Sequence, residues 1–182
     1  MRLVVRPSGP LSGVVPISGA KNSVLKIMAA TTLASGRFTL RNVPAIADVA
    51  WTGELLTGMG MTVRHEGDVL TIDSPSDLTP EAPYELVERM RASIVVLGPL
   101  LARFGHARVA LPGGDDFGPR PIDMHLRALE ALGAEFTMAH GYIEGRADRL
   151  LRTRVLPDFP SAGATENAQQ AGARPHRPAG GP

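Results

Sequence analysis

Leu55-Leu56-Thr57-Gly58-Met59-Gly60, then Thr62-Val63-Arg64-His65, Glu66-Gly67-Asp68 and Val69-Leu70-Thr71-Ile72, is the stretch that decides the fold. It reads as the end of a helix, a glycine stop, and two strands joined by a tight turn. The same order returns downstream. Leu129, Leu132 and Gly133 match Leu56, Met59 and Gly60 at one constant offset. Strands Glu135-Phe136-Thr137-Met138 and Tyr142-Ile143-Glu144 follow, joined through His140-Gly141. An ordered recurrence at roughly seventy residues marks an internal repeat of one supersecondary unit.

Upstream of the first copy, Gly19-Ala20-Lys21-Asn22 leads into a helical run from Ser23 to Ala34, with Leu25, Met28, Ala29 and Leu33 on one face. Gly36 reads as its C-cap, Arg37 to Leu40 as a strand, Asn42-Val43-Pro44 as a turn, and Ile46 to Met59 as a second helix. In the second copy a helix is expected from Met90 to Arg103, ended by Gly105, then a strand Ala107 to Leu111 and a helix Ile122 to Leu132. Each unit is strand-helix-strand-helix-strand-strand if a strand precedes its first helix. The fold class is therefore mixed α/β (α+β), built of βαβαββ repeats.

A third unit begins at Gly163-Ala164-Thr165-Glu166-Asn167, which resembles Gly19-Ala20-Lys21-Asn22. From Ala168 to Pro182 the chain becomes rich in Gly, Pro and Arg without apolar periodicity, so residues 168–182 are expected to be a disordered tail. The interruption reads as a frameshift or a truncated gene, which the other reading frames of the coding DNA would test.

Composition narrows the function. Apolar residues make up 43% of 182 and aromatics only 4%, so the core must be aliphatic. A formal net charge of +1 gives no bulk attraction to nucleic acid or membranes. With no cysteine, disulfides, thiolate catalysis and Cys-ligated zinc are excluded. The five histidines are scattered without metal spacing. The N-terminus lacks a signal-peptide apolar region, and a cytoplasmic protein is the simplest expectation.

The densest chemistry lies in Leu111-Pro112-Gly113-Gly114-Asp115-Asp116-Phe117-Gly118-Pro119-Arg120-Pro121-Ile122-Asp123-Met124-His125. Backbone N–H groups of a Gly-rich loop running into a helix favour an anion. Arg120 has the fork to hold a phosphate or carboxylate. Asp115 can serve as a general acid or base if burial or Asp116 raises its pKa. A surface turn with Asp123 near a helix N-terminus fits the same residues. Lys21 and Asn22 sit at a helix start, where Lys either holds an anion or is simply solvated. Arg91 takes the matching place in the second unit, against the helix dipole unless an anion is near. Asp158-Phe159-Pro160-Ser161-Ala162-Gly163-Ala164-Thr165 is either a ligand loop at a helix start or a plain turn.

Together, Ile17 to Asn22, Asn42-Val43-Pro44, Met90 to Ser93, Leu97 to Leu100, Leu111 to Gly114, Arg120 to His125 and Asp158 to Asn167 resemble, in order and spacing, the MurA-type UDP-N-acetylglucosamine enolpyruvyl (carboxyvinyl) transferases. The resemblance implies an inside-out α/β barrel domain of such repeats, here truncated to about two. It assigns residues 21–167 to that domain and residues 1–20 to strands, Leu3 to Arg6 included, that pack with a second, C-terminal domain missing from this sequence. The implied reaction moves the enolpyruvyl group of phosphoenolpyruvate to UDP-N-acetylglucosamine, the first committed step of peptidoglycan synthesis. No cofactor or metal is implied.

By resemblance, Lys21, Arg91 and Arg120 bind phosphoenolpyruvate, and Asn22 contacts the sugar. Pro121, Asp123, Ser161, Ala162 and Gly163 hold the uridine diphosphate. Asp115 stands where most of the family has cysteine, so it is the expected general acid, and it offers no thiolate for fosfomycin to alkylate. Without the second domain the chain is expected to be inactive. The alternatives are a non-catalytic UDP-sugar-binding module or pseudogene product, or a relative of the shikimate-phosphate enolpyruvyl transferases.

Overall fold

A computed structural model of the chain describes residues 3–7, 9–87, 91–111, 122–156 and 159–173, with only the backbone of 91–93. The fold is mixed α/β. The first unit contains α1 (Lys21–Ala30), β1 (Gly36–Leu40), α2 (Ala47–Gly58), β2 (Thr62–Glu66) and β3 (Val69–Ser74). The second contains β4 (Glu81–Ala82), a one-turn helix α3 (Tyr84–Val87), α4 (Leu97–Phe104), β5 (His106–Ala110), α5 (Asp123–Ala131), β6 (Glu135–Ala139) and β7 (Tyr142–Arg146). A last helix, α6 (Ala162–Ala173), follows.

The two units pair their strands alike. β3 lies between β1 and β2, antiparallel to both, and β7 lies between β5 and β6, antiparallel to both. The turns carry the left-handed residues that such hairpins require, Gly67 in one and His140-Gly141 in the other. Gly60, Gly105 and Gly133 also have positive φ and end α2, α4 and α5 as expected. Among the described residues, only the second sheet has a fourth strand, β4, parallel to β5. Among the described residues the matching edge of β1 is uncovered. The strand expected at Leu3–Arg6 is absent, and Leu3, Val4 and Val5 are exposed. An isolated extended segment has no ladder to join, so propensity alone does not make it a strand.

Three further expectations need correction. The first helix does not run unbroken to Ala34. It passes at Thr31 into a 3-10 turn, where Thr31 and Thr32 hydroxyls donate to the carbonyls of Met28 and Ala29 at 2.6 and 2.7 Å. Gly36 therefore opens β1 rather than capping α1. The helix expected from Met90 begins instead as a 3-10 segment, Arg91–Val96, before α4. Pro99 explains the break, since its ring would crowd the carbonyl of Val95 in a continuous α-helix and it has no N–H to donate there.

The third correction is the tail. Residues 168–173 are not disordered but complete α6. Ala164, Asn167 and Ala171 lie buried on one side, packed on α4 and α5. The stripe has helical spacing but consists of two alanines and an asparagine, and alanine is a strong helix former that hydropathy underrates. Residues 174–182 lie outside the described part.

One continuous aliphatic core joins both units. Met28, Leu55, Leu56, Met59, Leu70 and Ile72 meet Leu97, Leu100, Leu101, Leu129 and Ile143 in it. Each such side chain contributes about 1.5–3 kcal/mol on burial. Among the described residues no helix is long and apolar enough to cross a membrane.

Candidate active site

Helices α1 and α2 begin side by side. Lys21 is the first residue of α1, and its Nζ lies 2.8 Å from the Asp48 carboxylate in the first turn of α2. Neither helix has a side-chain N-cap, so the first peptide N–H groups of both starts have no side-chain acceptor. A lysine here opposes the helix dipole, and Asp48 relieves that conflict. An arriving anion would compete with Asp48 for Lys21. Asn22 follows, exposed. The start of α1 is fixed from behind, because the Gly19 N–H donates to Asn42 Oδ1 at 3.2 Å. A Cβ on Gly19 would lie 2.0 Å from the Asn42 carbonyl oxygen, so any larger residue requires the chain to shift. The segments Gly19-Ala20-Lys21-Asn22 and Asn42-Val43-Pro44, separate in the sequence, are thus one local structure.

The second cluster forms where α5 and α6 begin. Asp123 opens α5 and accepts a hydrogen bond from Arg127 at 2.9 Å. Ser161 caps α6, its Oγ accepting the Ala164 N–H at 3.3 Å and its carbonyl the Thr165 N–H at 3.0 Å. Ala162 and Gly163 are the first residues of that helix. His125 lies between the two starts. A Cβ on Gly163 would stand 3.3 Å from His125 Cε1.

Behind them sits buried Asn167. Its Oδ1 accepts the Gly98 N–H at 2.8 Å, and its Nδ2 donates to the Ile94 carbonyl at 3.1 Å and faces His125 Nδ1 at 3.1 Å. These partners fix the chemistry. A peptide N–H can only donate, so the atom facing Gly98 is the amide oxygen. A carbonyl can only accept, so the amide nitrogen faces Ile94. His125 Nδ1 must then accept, which makes the ring neutral with its proton on Nε2. Burial lowers the His125 pKa below its ordinary 6.5, with Asp123 opposing, in keeping with a neutral ring.

Helix α5, which Asp123 opens, packs on α6, which Ser161 caps, with His125 against Gly163. The structure joins α1, which Lys21 and Asn22 open, to α6 through Lys26–Glu166 at 2.5 Å and through Gln170, which donates to the Lys26 carbonyl at 3.1 Å. Arg91 opens the 3-10 segment packed on α1 and α6, its side chain outside the described part. Asp115, Arg120 and Pro121 also lie outside the described residues. A surface cavity of about 550 Å³ between α5, α6 and residues 151–155 is lined by none of the expected site residues that are described. Asp48 and the Asn167–His125 pair were not singled out from the sequence. An acidic residue just after the Pro44 turn was the available signal for Asp48, whereas nothing in the spacing signals a bond across 42 residues.

The family described as EPSP synthase (3-phosphoshikimate 1-carboxyvinyltransferase) matches residues 5–175. The UDP-N-acetylglucosamine 1-carboxyvinyltransferase of Solidesulfovibrio magneticus is 48% identical over 170 residues, covering 93% of this chain and 41% of that protein. The chain thus spans about two fifths of the length of the curated relatives it matches. Among solved structures, the enolpyruvyl transferase NikO from Streptomyces tendae aligns with a TM-score of 0.72 at 28% identity, over 90% of this chain and 39% of that one. An EPSP synthase from Acinetobacter baumannii aligns at 0.68 and 17% identity over 89% and 38%, a likeness of fold alone.

Proposed function

The chain belongs to the EPSP synthase family of carboxyvinyl transferases, and on that premise we propose that it carries one wall of a MurA-type active site. The reaction is transfer of the enolpyruvyl group from phosphoenolpyruvate to a hydroxyl of UDP-N-acetylglucosamine, with release of phosphate, in peptidoglycan synthesis. The observation that carries this reading is 48% identity to a UDP-N-acetylglucosamine 1-carboxyvinyltransferase across 93% of the chain. The barrel reading of the fold, helices inward and sheets outward in repeats, belongs to the same proposal.

In this reading Lys21, Arg91 and Arg120 bind the phosphate and carboxylate of phosphoenolpyruvate, and Asn22 contacts the sugar. Pro121, Asp123 and Ser161-Ala162-Gly163 hold the uridine diphosphate. Asp115 protonates the enolpyruvyl methylene as a general acid. The physical support is the supply of cations and free N–H groups at adjoining helix starts, which suits two anionic substrates. A site that closes between two walls gives little catalysis from one, because positioning is lost.

Calorimetry on the 182-residue polypeptide tests this. Binding of UDP-N-acetylglucosamine without phosphate release on adding phosphoenolpyruvate is expected. Binding of shikimate 3-phosphate in place of the UDP-sugar would move the chain to the other branch of the family. Turnover by this polypeptide would refute the one-wall reading.

A further inference from the structure

We propose that Asn167 and His125 form a positioning joint that holds three ligand-binding segments in register: the turn that starts at Arg91, the start of α5 at Asp123, and the start of α6 at Ser161–Gly163. The joint deepens the functional reading above and rests on it for the identity of the ligand.

The three segments are far apart in sequence and meet at one buried amide. Asn167 is 1% exposed. Through Ile94 and Gly98 it grips both the 3-10 segment that Arg91 opens and the first turn of α4. Through His125 it grips α5 two residues after Asp123. Asn167 itself is part of α6, one turn beyond Gly163. All the polar capacity of its amide nitrogen is used, and each bond replaces one that water would make in the open chain.

Two glycines make the joint tight. A Cβ on Gly98 would stand 2.3 Å from Asn167 Oδ1 and 2.4 Å from its carbonyl oxygen, so α4 approaches α6 at a distance only glycine permits. A Cβ on Gly163 would press on His125 at 3.3 and 3.4 Å, so the ring seats against the first turn of α6. The ring therefore acts as a spacer between two helix starts, one bearing Asp123 and the other Ser161. Among the described residues Asp123 is the charged group that acts on it. Phosphate recognition depends on the relative position of its donors to within a fraction of an ångström. A joint that fixes all three segments controls that position without touching the ligand.

The test compares His125→Leu, His125→Gln and Asn167→Ala with the unmodified chain. UDP-N-acetylglucosamine binding is read by calorimetry and folding by thermal melting. His125→Leu is expected to weaken binding about tenfold or more. His125→Gln keeps an acceptor for the Asn167 amide and should bind within roughly threefold of the unmodified chain. Unchanged affinity in His125→Leu overturns the joint, as does a Gln variant no better than the Leu variant at matched melting temperature. If the unmodified chain binds no UDP-sugar, it is the functional reading that fails. The joint is then judged by backbone NMR. Asn167→Ala should move the amide signals of Gly98, Asp123 and Ser161–Gly163 together, and changes confined to the neighbours of residue 167 would overturn it.

Discussion

Two glycine–asparagine contacts hold helix starts in the two units, and they differ in exposure. In the first, Asn42 Oδ1 accepts the Gly19 N–H at 3.2 Å in an exposed position. In the second, Asn167 Oδ1 accepts the Gly98 N–H at 2.8 Å in a buried one. Both glycines press so closely on the asparagine that a Cβ would overlap it, at 2.0 Å in the first case and 2.3 Å in the second. The nearly equal overlap hides an unequal cost. The exposed contact competes with water and borders an arm, Leu11 to Ile17, whose large side chains are exposed. The buried contact is closed to water, with Asn167 only 1% exposed. Close contact is therefore a poor guide to energy unless one asks what can move.

Gly98→Ala should break this comparison most sharply. The new methyl group meets the amide and carbonyl oxygens of a residue that is locked by three hydrogen bonds. A loss of about 3 kcal/mol or more is expected, combining overpacking with a displaced buried polar network. Chemical denaturation gives the value. Gly19→Ala has the shorter overlap but should cost only about 1 kcal/mol, because the exposed arm yields. Equal costs for the two would mean that the arm before α1 is held more firmly than its exposure indicates. In the functional reading the displaced start of α1 carries Lys21 with it, so Gly19→Ala should weaken phosphoenolpyruvate binding more than it weakens folding.

The same contrast shows what was legible in the sequence. The glycine stops at Gly60, Gly105 and Gly133 and the hairpins after α2 and α5 were readable, because each is encoded within a few residues. The 3-10 entry to α4 is obscured in the sequence despite Pro99, because the apolar run around it masks the break. The helix through Ala173 is hard to read because its buried side is two alanines and an asparagine, with little apolar contrast. Asp123 and Ser161–Gly163 are legible as separate motifs, but what joins their helices is not. Asn167 and Gly98 are 69 residues apart, and no local pattern predicts their meeting.

A smaller effect concerns pH. His125 has its pKa lowered by burial, so the folded chain binds fewer protons at this site than the unfolded chain does. Its contribution is fully present above the unfolded value of about 6.5 and is lost as pH falls below it through the folded value. Stability measured from pH 8 down to about 5 should therefore fall more steeply in the unmodified chain than in His125→Gln, which has nothing to titrate there. Parallel curves would show that the ring accepts a proton without losing Asn167, and the second unit would then be no more tightly specified than the first.

The smallest effect belongs to the exposed unit. The Lys21–Asp48 pair is short, at 2.8 Å, but the lysine side chain is 54% exposed. Water screens such a pair, and ordering two flexible side chains offsets much of the attraction. Asp48→Asn should lower stability by less than about 1 kcal/mol, and the difference should shrink further in ~1 M salt. Binding should respond in the opposite direction. Asp48 is the carboxylate that an incoming anion must displace from Lys21, so its neutralisation should tighten phosphoenolpyruvate binding by roughly two- to fivefold at low salt. A weaker affinity in Asp48→Asn would mean that Asp48 orients Lys21 rather than competing for it. The exposed helix start would then be as firmly built as the buried one, by charge instead of by packing.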